Sequence, residues 1–354
     1  MEETPFTQAA TKPLTSTSLV EHLAALATGY TPDPAAEDKQ PTYYDHPVLK
    51  QPFWHWEIIW YFFFGGLAAG CYVIASIASL FGSHEDRAVV RTGYYLSLLA
   101  LLPCPPLLIK DLGRPERLLN MLRIFKVKSP MSMGIWGLLT FSLFSGITAV
   151  IQAARDGILG HWWGARLLAA LPQKILALPG TATGIFLGGY TGVLLAATSV
   201  PVWSRSKLLG AVFISSAMST SSALISLVLR IIGAPEHALR KLERMEWVAL
   251  LVEMTGLLTF LRGSGRAARP LVGNGPAEHG ATFWSFVFGG GLVLPWLLQT
   301  LLLLLRHPGR RAGVRGIPIS LLVLLGGYFL RRTMIEAGHT SSKDTRTTLW
   351  NAKR

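Results

Sequence analysis

The side chains able to do chemistry in an apolar setting fall in a few places. Glu57 opens a greasy stretch, and Tyr61 follows about one helical turn later on the same face, with His55 just ahead of both. Tyr190 stands among glycines in GGYTG, where backbones crowd and a hydroxyl reaches either a neighbouring helix or a ligand. Glu253 lies deep in another apolar run, with Glu246 two turns earlier on that face. Ionisable groups at membrane depth are costly and default to a functional reading. For Glu253 and Glu246 a proton path and a structural interhelical hydrogen bond both fit. Arg230, Arg331, Arg332 and Glu336 sit near span ends, where the long side chains can snorkel.

Histidine and cysteine placement narrows the redox chemistry. All nine histidines fall in tails, loops or span ends. A membrane b-type haem needs axial ligands on facing helices, so the sequence leads us to expect no haem. Cys71 and Cys104 are too far apart to make a metal or cluster framework, so we expect no iron–sulfur cluster and no metal site. A diffusible carrier is then the redox agent that fits.

Composition identifies the solvent. Of 354 residues, 50% are hydrophobic and 15% charged, with a positive mean hydropathy of +0.39. That balance favours an integral membrane protein. The net charge of +13 suits loops that meet anionic lipid or a protein partner, not nucleic acid. About eight spans can be drawn, each near the roughly twenty apolar residues a bilayer requires. They run Glu57–Phe81, Val89–Ile109, Met131–Ala153, Leu178–Val200, Leu208–Ile232, Met245–Leu261, Phe283–Leu305 and Ile317–Ile335. Residues 1–53 form a polar tail and linker without a signal-peptide pattern, in which Ser18–Gly29 can make a surface helix. Residues 337–354 form a second tail. Lys and Arg number roughly 18 on the side of the termini against roughly 13 opposite, which points the termini toward the cytoplasm.

Between the second and third spans lies the densest feature, PCPPLLIKDLGRPERLLNMLRIFKVKSPMSMGIW (103–136). Pro103, Pro105 and Pro106 must bend or break the helix that carries them. A hairpin follows with Lys110, Asp111, Arg114, Glu116, Arg117, Arg123, Lys126 and Lys128. Ser129-Pro130-Met131-Ser132 then starts the next helix. The hairpin reads as a built site and docking surface, with an ordinary basic loop as the plain alternative. Small-residue patterns, Gly66-xxx-Gly70 and Gly184-xxx-Gly188-xxx-Gly192, mark close helix contacts and lead us to expect spans one and four to approach each other.

Four pieces carry a family resemblance: WHWEIIWYFFFGGLAAGCY (54–72), KDLGRPERLLNMLR (110–123), SPMSMGIW (129–136) and GGYTGVLLAATSVPVW (188–203). With them the sequence resembles the NrfD/PsrC family, the polysulfide-reductase membrane subunits, over most of its length from Trp54. The resemblance implies an all-α integral membrane protein of two four-helix bundles, here 54–207 and 208–336. It implies a site for quinone, menaquinone or ubiquinone, in the first bundle. It implies an iron–sulfur partner subunit docked on that face and a catalytic subunit, often a molybdopterin enzyme, beyond it. The family's pocket tyrosine falls on Tyr190. First-helix polar positions fall on Ile58 and Tyr61, where some members carry Asn and His, so headgroup contacts shift to Tyr61, Glu57 or His55. Asp111 and Arg114 would hold the hairpin over the site, and Arg117, Arg123, Lys126 and Lys128 would meet the partner. Family members often place the docking face outside the cytoplasm, against the charge count. The expected setting is the bacterial cytoplasmic membrane, as part of a respiratory complex with or without proton translocation. The rival class is a secondary transporter or ion channel, which broken helices and a buried Glu253 would also suit.

Overall fold

The computed structural model describes residues 16–31, 48–113, 116–275, 277–304 and 316–352. Among these the regular structure is helical, with no strand. A short helix α1 (Ser16–Thr28) precedes the spanning set. The first span is α2 (Trp56–Phe81). The second is split into α3 (Arg87–Leu101) and α4 (Cys104–Asp111). The break falls at Leu102 and Pro103, where Pro105 and Pro106 cannot donate backwards along the helix. A short helix α5 (Glu116–Arg123) lies in the hairpin. The spans α6 (Pro130–Arg155), α8 (Gln173–Ala196), α9 (Leu209–Ile231) and α10 (Glu236–Ser264) follow, with α7 (Trp163–Ala170) between α6 and α8. The seventh span, α11 (Gly280–Leu304), is π-helical over Phe283–Val293. The eighth is α12 (Ile317–Lys343), and α13 (Thr345–Ala352) closes the described chain.

Seven of these helices are long and apolar enough to cross a membrane, which makes the chain a multi-pass membrane protein. The remaining member, α8, has 24 residues, ample at about 1.5 Å per residue. Its glycines and threonines (GTATG, GGYTG) dilute its hydropathy without shortening it. The helices pack as two rings of four. In one, α2 neighbours α3 and α8, and α6 closes the ring against the same two. In the other, α9 neighbours α10 and α12, and α11 lies between those. The rings join where α9 packs on α2 and α8, and α12 on α2.

Three expectations need correction. The glycines of span one do not receive span four. A side chain on Gly66 or Gly70 would meet Ala217 of α9, with Arg331 beyond Gly66 and Ser221 beyond Gly70, so these glycines admit the fifth helix. Span four does approach span one, but through its own Gly184 and Gly188, which face Ala69. Second, the sixth and eighth helices outrun their apolar cores. α10 begins at Glu236 because Ala238, Leu239 and Leu242 keep an inward stripe through a charged turn. α12 continues to Lys343. Third, Arg331 is therefore mid-helix and does not snorkel. It is 1% exposed, donates to Ser216 Oγ (2.6 Å) and the Gly327 carbonyl (2.9 Å), and faces the Phe213 ring. Arg332 does remain at the surface, paired with Glu336 at 2.9 Å.

At the crossing of α11 and α12, Gly291 and Gly326 abut backbone to backbone. Gly326→Val would force these helices apart. Overpacking of this kind costs about 1–3 kcal/mol. A thermal melt in detergent should show a lowered midpoint, whereas Gly146→Ala, at a position with open space, should melt like the parent.

Candidate functional site

Four helix ends meet at one membrane face around a narrow cleft of about 40 Å³. Each contributes a set of residues at one-face helical spacing. The start of α2 gives Ile58, Tyr61 and Phe62; α4 gives Leu108, Asp111 and Leu112; the start of α6 gives Met131, Gly134 and Ile135; and α8 gives Tyr190 and Leu194. Trp54 and Met121 close the edges. The walls are apolar, and the polar side chains among them are Tyr61, Asp111 and Tyr190. The proline break separates α4 from α3, and α4 packs on α2 with Asp111 near Glu57.

The two phenols are used differently. Tyr190 is buried and donates its hydroxyl proton to the Pro130 carbonyl, in the first turn of α6. Its ring stacks on Phe186 and lies directly over Gly134, where any Cβ would collide with it. Its oxygen is therefore available as an acceptor, and its donor is engaged. Tyr61 is equally buried and within electrostatic reach of Tyr190. Among the described residues its hydroxyl has no hydrogen-bond partner. Tyr61 is thus the free donor of the cleft.

Glu57 and His55 do not line the cleft; they stand with Asp111 at its mouth, within electrostatic reach of it. Glu57 faces Lys110 at 3.5 Å, and the Lys110 ammonium also sits 4.1 Å from the Trp56 ring centre. His55 stacks on His339, whose Nε2 lies 2.7 Å from the Trp54 carbonyl oxygen. That contact spans from the first helix to the end of the eighth, and no local pattern announces it. Arg114 lies outside the described residues.

Above the cleft the hairpin returns through α5. Arg123, Lys126 and Lys128 are exposed, interleaved with exposed Ile124, Phe125 and Val127. Arg117 belongs to α5, and its side chain is outside the described residues. Ser132 ties the hairpin down: its hydroxyl accepts from the Lys126 N–H (3.0 Å) and donates to the Ile124 carbonyl (3.4 Å). Ser129 caps α6 by accepting from the Ser132 N–H.

Glu253 and Glu246 lie apart from this cleft, in the second ring, 2% and 1% exposed. Glu253 accepts from Ser219 at 2.6 Å and sits near Arg331. Neither carboxylate oxygen of Glu246 has a hydrogen-bond partner among the described residues. Arg230 pairs with Glu243 at 2.9 Å one turn away. Ser219, Ser222 and Ser226 recur three and four residues apart on α9, and the hydroxyls of Ser222 and Ser226 are buried and likewise unpartnered.

What fold and cleft define together is a multi-pass helical membrane protein with a site open at one face. Comparison with protein families matches residues 47–341 to polysulphide reductase, NrfD, and the chain belongs to that family. It is 27% identical over 276 residues to Protein NrfD of Escherichia coli (strain K12), covering 70% of this chain and 84% of that protein. It is 25% identical over 321 residues to the Protein NrfD homolog of Haemophilus influenzae, covering 83% of this chain and 98% of that one.

Proposed function

We propose that this chain is the non-haem, quinone-oxidoreducing membrane subunit of a respiratory complex in the bacterial cytoplasmic membrane. It exchanges electrons between membrane quinone or quinol and an iron–sulfur partner subunit, which in turn serves a catalytic subunit of molybdopterin or other type. One observation carries this: an apolar cleft holding one free phenol donor, one phenol acceptor and one carboxylate, beneath an exposed basic hairpin. A planar ring with two opposed oxygens suits that lining. A bound quinol supplies two electrons and two protons. The chain orients the ring and takes up the protons. Tyr61 donates a hydrogen bond to one ring oxygen, Tyr190 Oη accepts from a ring hydroxyl, and Asp111 receives protons at the mouth beside Glu57 and His55. Ile58, Leu108 and Ile135 hold the ring and keep water out.

Two conservative variants test the assignment. Tyr61→Phe removes only a hydroxyl. A neutral hydrogen bond contributes roughly 0.5–1.5 kcal/mol, so quinol turnover should fall by about three- to tenfold. Tyr190→Phe should reduce it comparably and also lower the thermal midpoint, because its hydroxyl ties α8 to α6. Parental kinetics in both variants, at full expression, would remove quinone chemistry from this cleft. A gently purified native protein carrying neither an iron–sulfur partner nor quinone would favour a transporter instead.

The second ring supports a proton route through Glu246 and Glu253, lined by the α9 serines. In proteoliposomes Glu246→Gln should cut proton translocation at least about tenfold, in line with loss of a positioned proton carrier. Uncoupled quinol turnover should stay near the parent's. An unchanged proton-to-electron ratio would leave Glu246 a structural residue.

A further inference from the structure

At the membrane face opposite the quinone cleft lies a larger cavity, of about 870 Å³, which no step above uses. It opens where α2 and α6 end and α3 and α8 begin. Arg87, Arg91, Arg155 and Lys174 line it, against one carboxylate, Asp156. That carboxylate is already committed. It pairs with Arg91 at 3.0 Å and accepts from the Tyr95 hydroxyl at 2.6 Å and from Gln152 at 3.2 Å. Arg155 is held entirely by neutral acceptors: the Ala169 carbonyl (3.1 Å), Gln173 Oε1 (2.7 Å) and the Leu171 carbonyl (2.7 Å). Its orientation is fixed while its charge is not offset.

The floor is built, not incidental. Gln173 is 2% exposed and ties the start of α8 to the end of α6 by three hydrogen bonds. Besides accepting from Arg155, its Nε2 donates to the Thr148 carbonyl and to Gln152, each at 3.2 Å. Among the described residues Arg87 and Lys174 are exposed and have no ion-pair partner. The cavity therefore presents a cationic surplus at the depth where the helices end, which is where lipid phosphates lie.

Its surroundings separate a lipid from a soluble anion. Trp162 and Trp163 are 53% and 77% exposed at the start of α7, whose Ala169 lines the cavity, the placement of an interfacial aromatic belt. Beyond Lys174, the outer side of α8 leaves Ile175 and Leu178 more than 60% exposed, a track for an acyl chain. A free phosphate would use the cations and leave that apolar track without a role. We infer that this cavity binds the headgroup of an anionic phospholipid, with Arg87, Arg155 and Lys174 facing the phosphate and the exposed side of α8 carrying an acyl chain.

The test uses the full chain, delipidated in detergent and titrated by native mass spectrometry with phosphatidylglycerol, phosphatidylethanolamine or inorganic phosphate. The parent should hold one phosphatidylglycerol at least tenfold more tightly than phosphatidylethanolamine. Arg87→Gln combined with Lys174→Gln should weaken phosphatidylglycerol by roughly 10- to 30-fold, as expected for two surface cations near phosphate. Both positions are exposed, and an unchanged melting midpoint verifies the fold. Equal binding of the two lipids by the parent would overturn the site, as would a preference that survives the double substitution. Inorganic phosphate competing as well as the lipid would make it a soluble-anion site and equally overturn the lipid assignment.

Discussion

Asp111→Asn should lower quinol turnover by about 100-fold or more while leaving the protein folded. Asp111 is the carboxylate that lines the cleft, and its neighbours Glu57 and His55 are both held elsewhere. Asn keeps the size and the hydrogen-bonding shape at the end of α4 but cannot carry a proton. A positioned general base contributes about 10²- to 10⁴-fold, so the loss should appear in kcat, with quinone KM changed little. Asp111→Glu retains the carboxylate at a displaced point and should recover part of the rate. The measurement is steady-state quinol oxidation by the assembled complex, across a pH series. Turnover of Asp111→Asn within threefold of the parent would reduce Asp111 to a wall residue. Protons would then have to leave by Glu57 or His55 at the mouth, and substitution of one of those would have to become the more damaging change.

Much of this arrangement could be read from local patterns. The proline triplet at Pro103, Pro105 and Pro106 has few outcomes in a helix, and the break lies where it must. Alternating crossings place the starts of the first and third helices and the ends of the second and fourth at one face, whatever their tilt. That places Tyr61, Asp111 and Tyr190 at a common face, while the assignment of Tyr190 to a pocket came from the family resemblance. What resisted reading depends on the partner across an interface. Gly66 and Gly70 announce a close approach, yet nothing in their spacing says that α9 makes it and not α8. Arg331 looks like a residue at a helix end because the apolar run stops near Ile335. The polar continuation to Lys343 is helical because Ala337, Gly338, Ser341 and Ser342 still face inward. The Tyr190 bond to Pro130 was hidden for the same reason, since a backbone acceptor leaves no mark in the sequence. The one available signal was Gly134, whose missing side chain makes room for the Tyr190 ring.

Reversing Arg123, Lys126 and Lys128 to Glu should release the proposed iron–sulfur partner at moderate salt. These side chains are exposed, and the surface between them is apolar at Ile124, Phe125 and Val127. Such a patch suits a partner that is acidic at its rim and apolar at its centre. The hairpin is tied down by Ser132 before anything docks, so little ordering cost falls on association. Truncating the cations would mainly slow the encounter and reduce its salt dependence. Reversal also sets like charges against each other, which costs several kcal/mol across an interface. An affinity loss of about 100-fold or more follows, since each tenfold is about 1.4 kcal/mol. None of the three side chains lines the cleft, so the isolated membrane subunit should melt as the parent does and keep whatever quinone binding the parent has. Co-purification at 0.15 M salt, read against the same preparation at low salt, measures the effect. An intact complex after the triple reversal would move the docking surface off this hairpin.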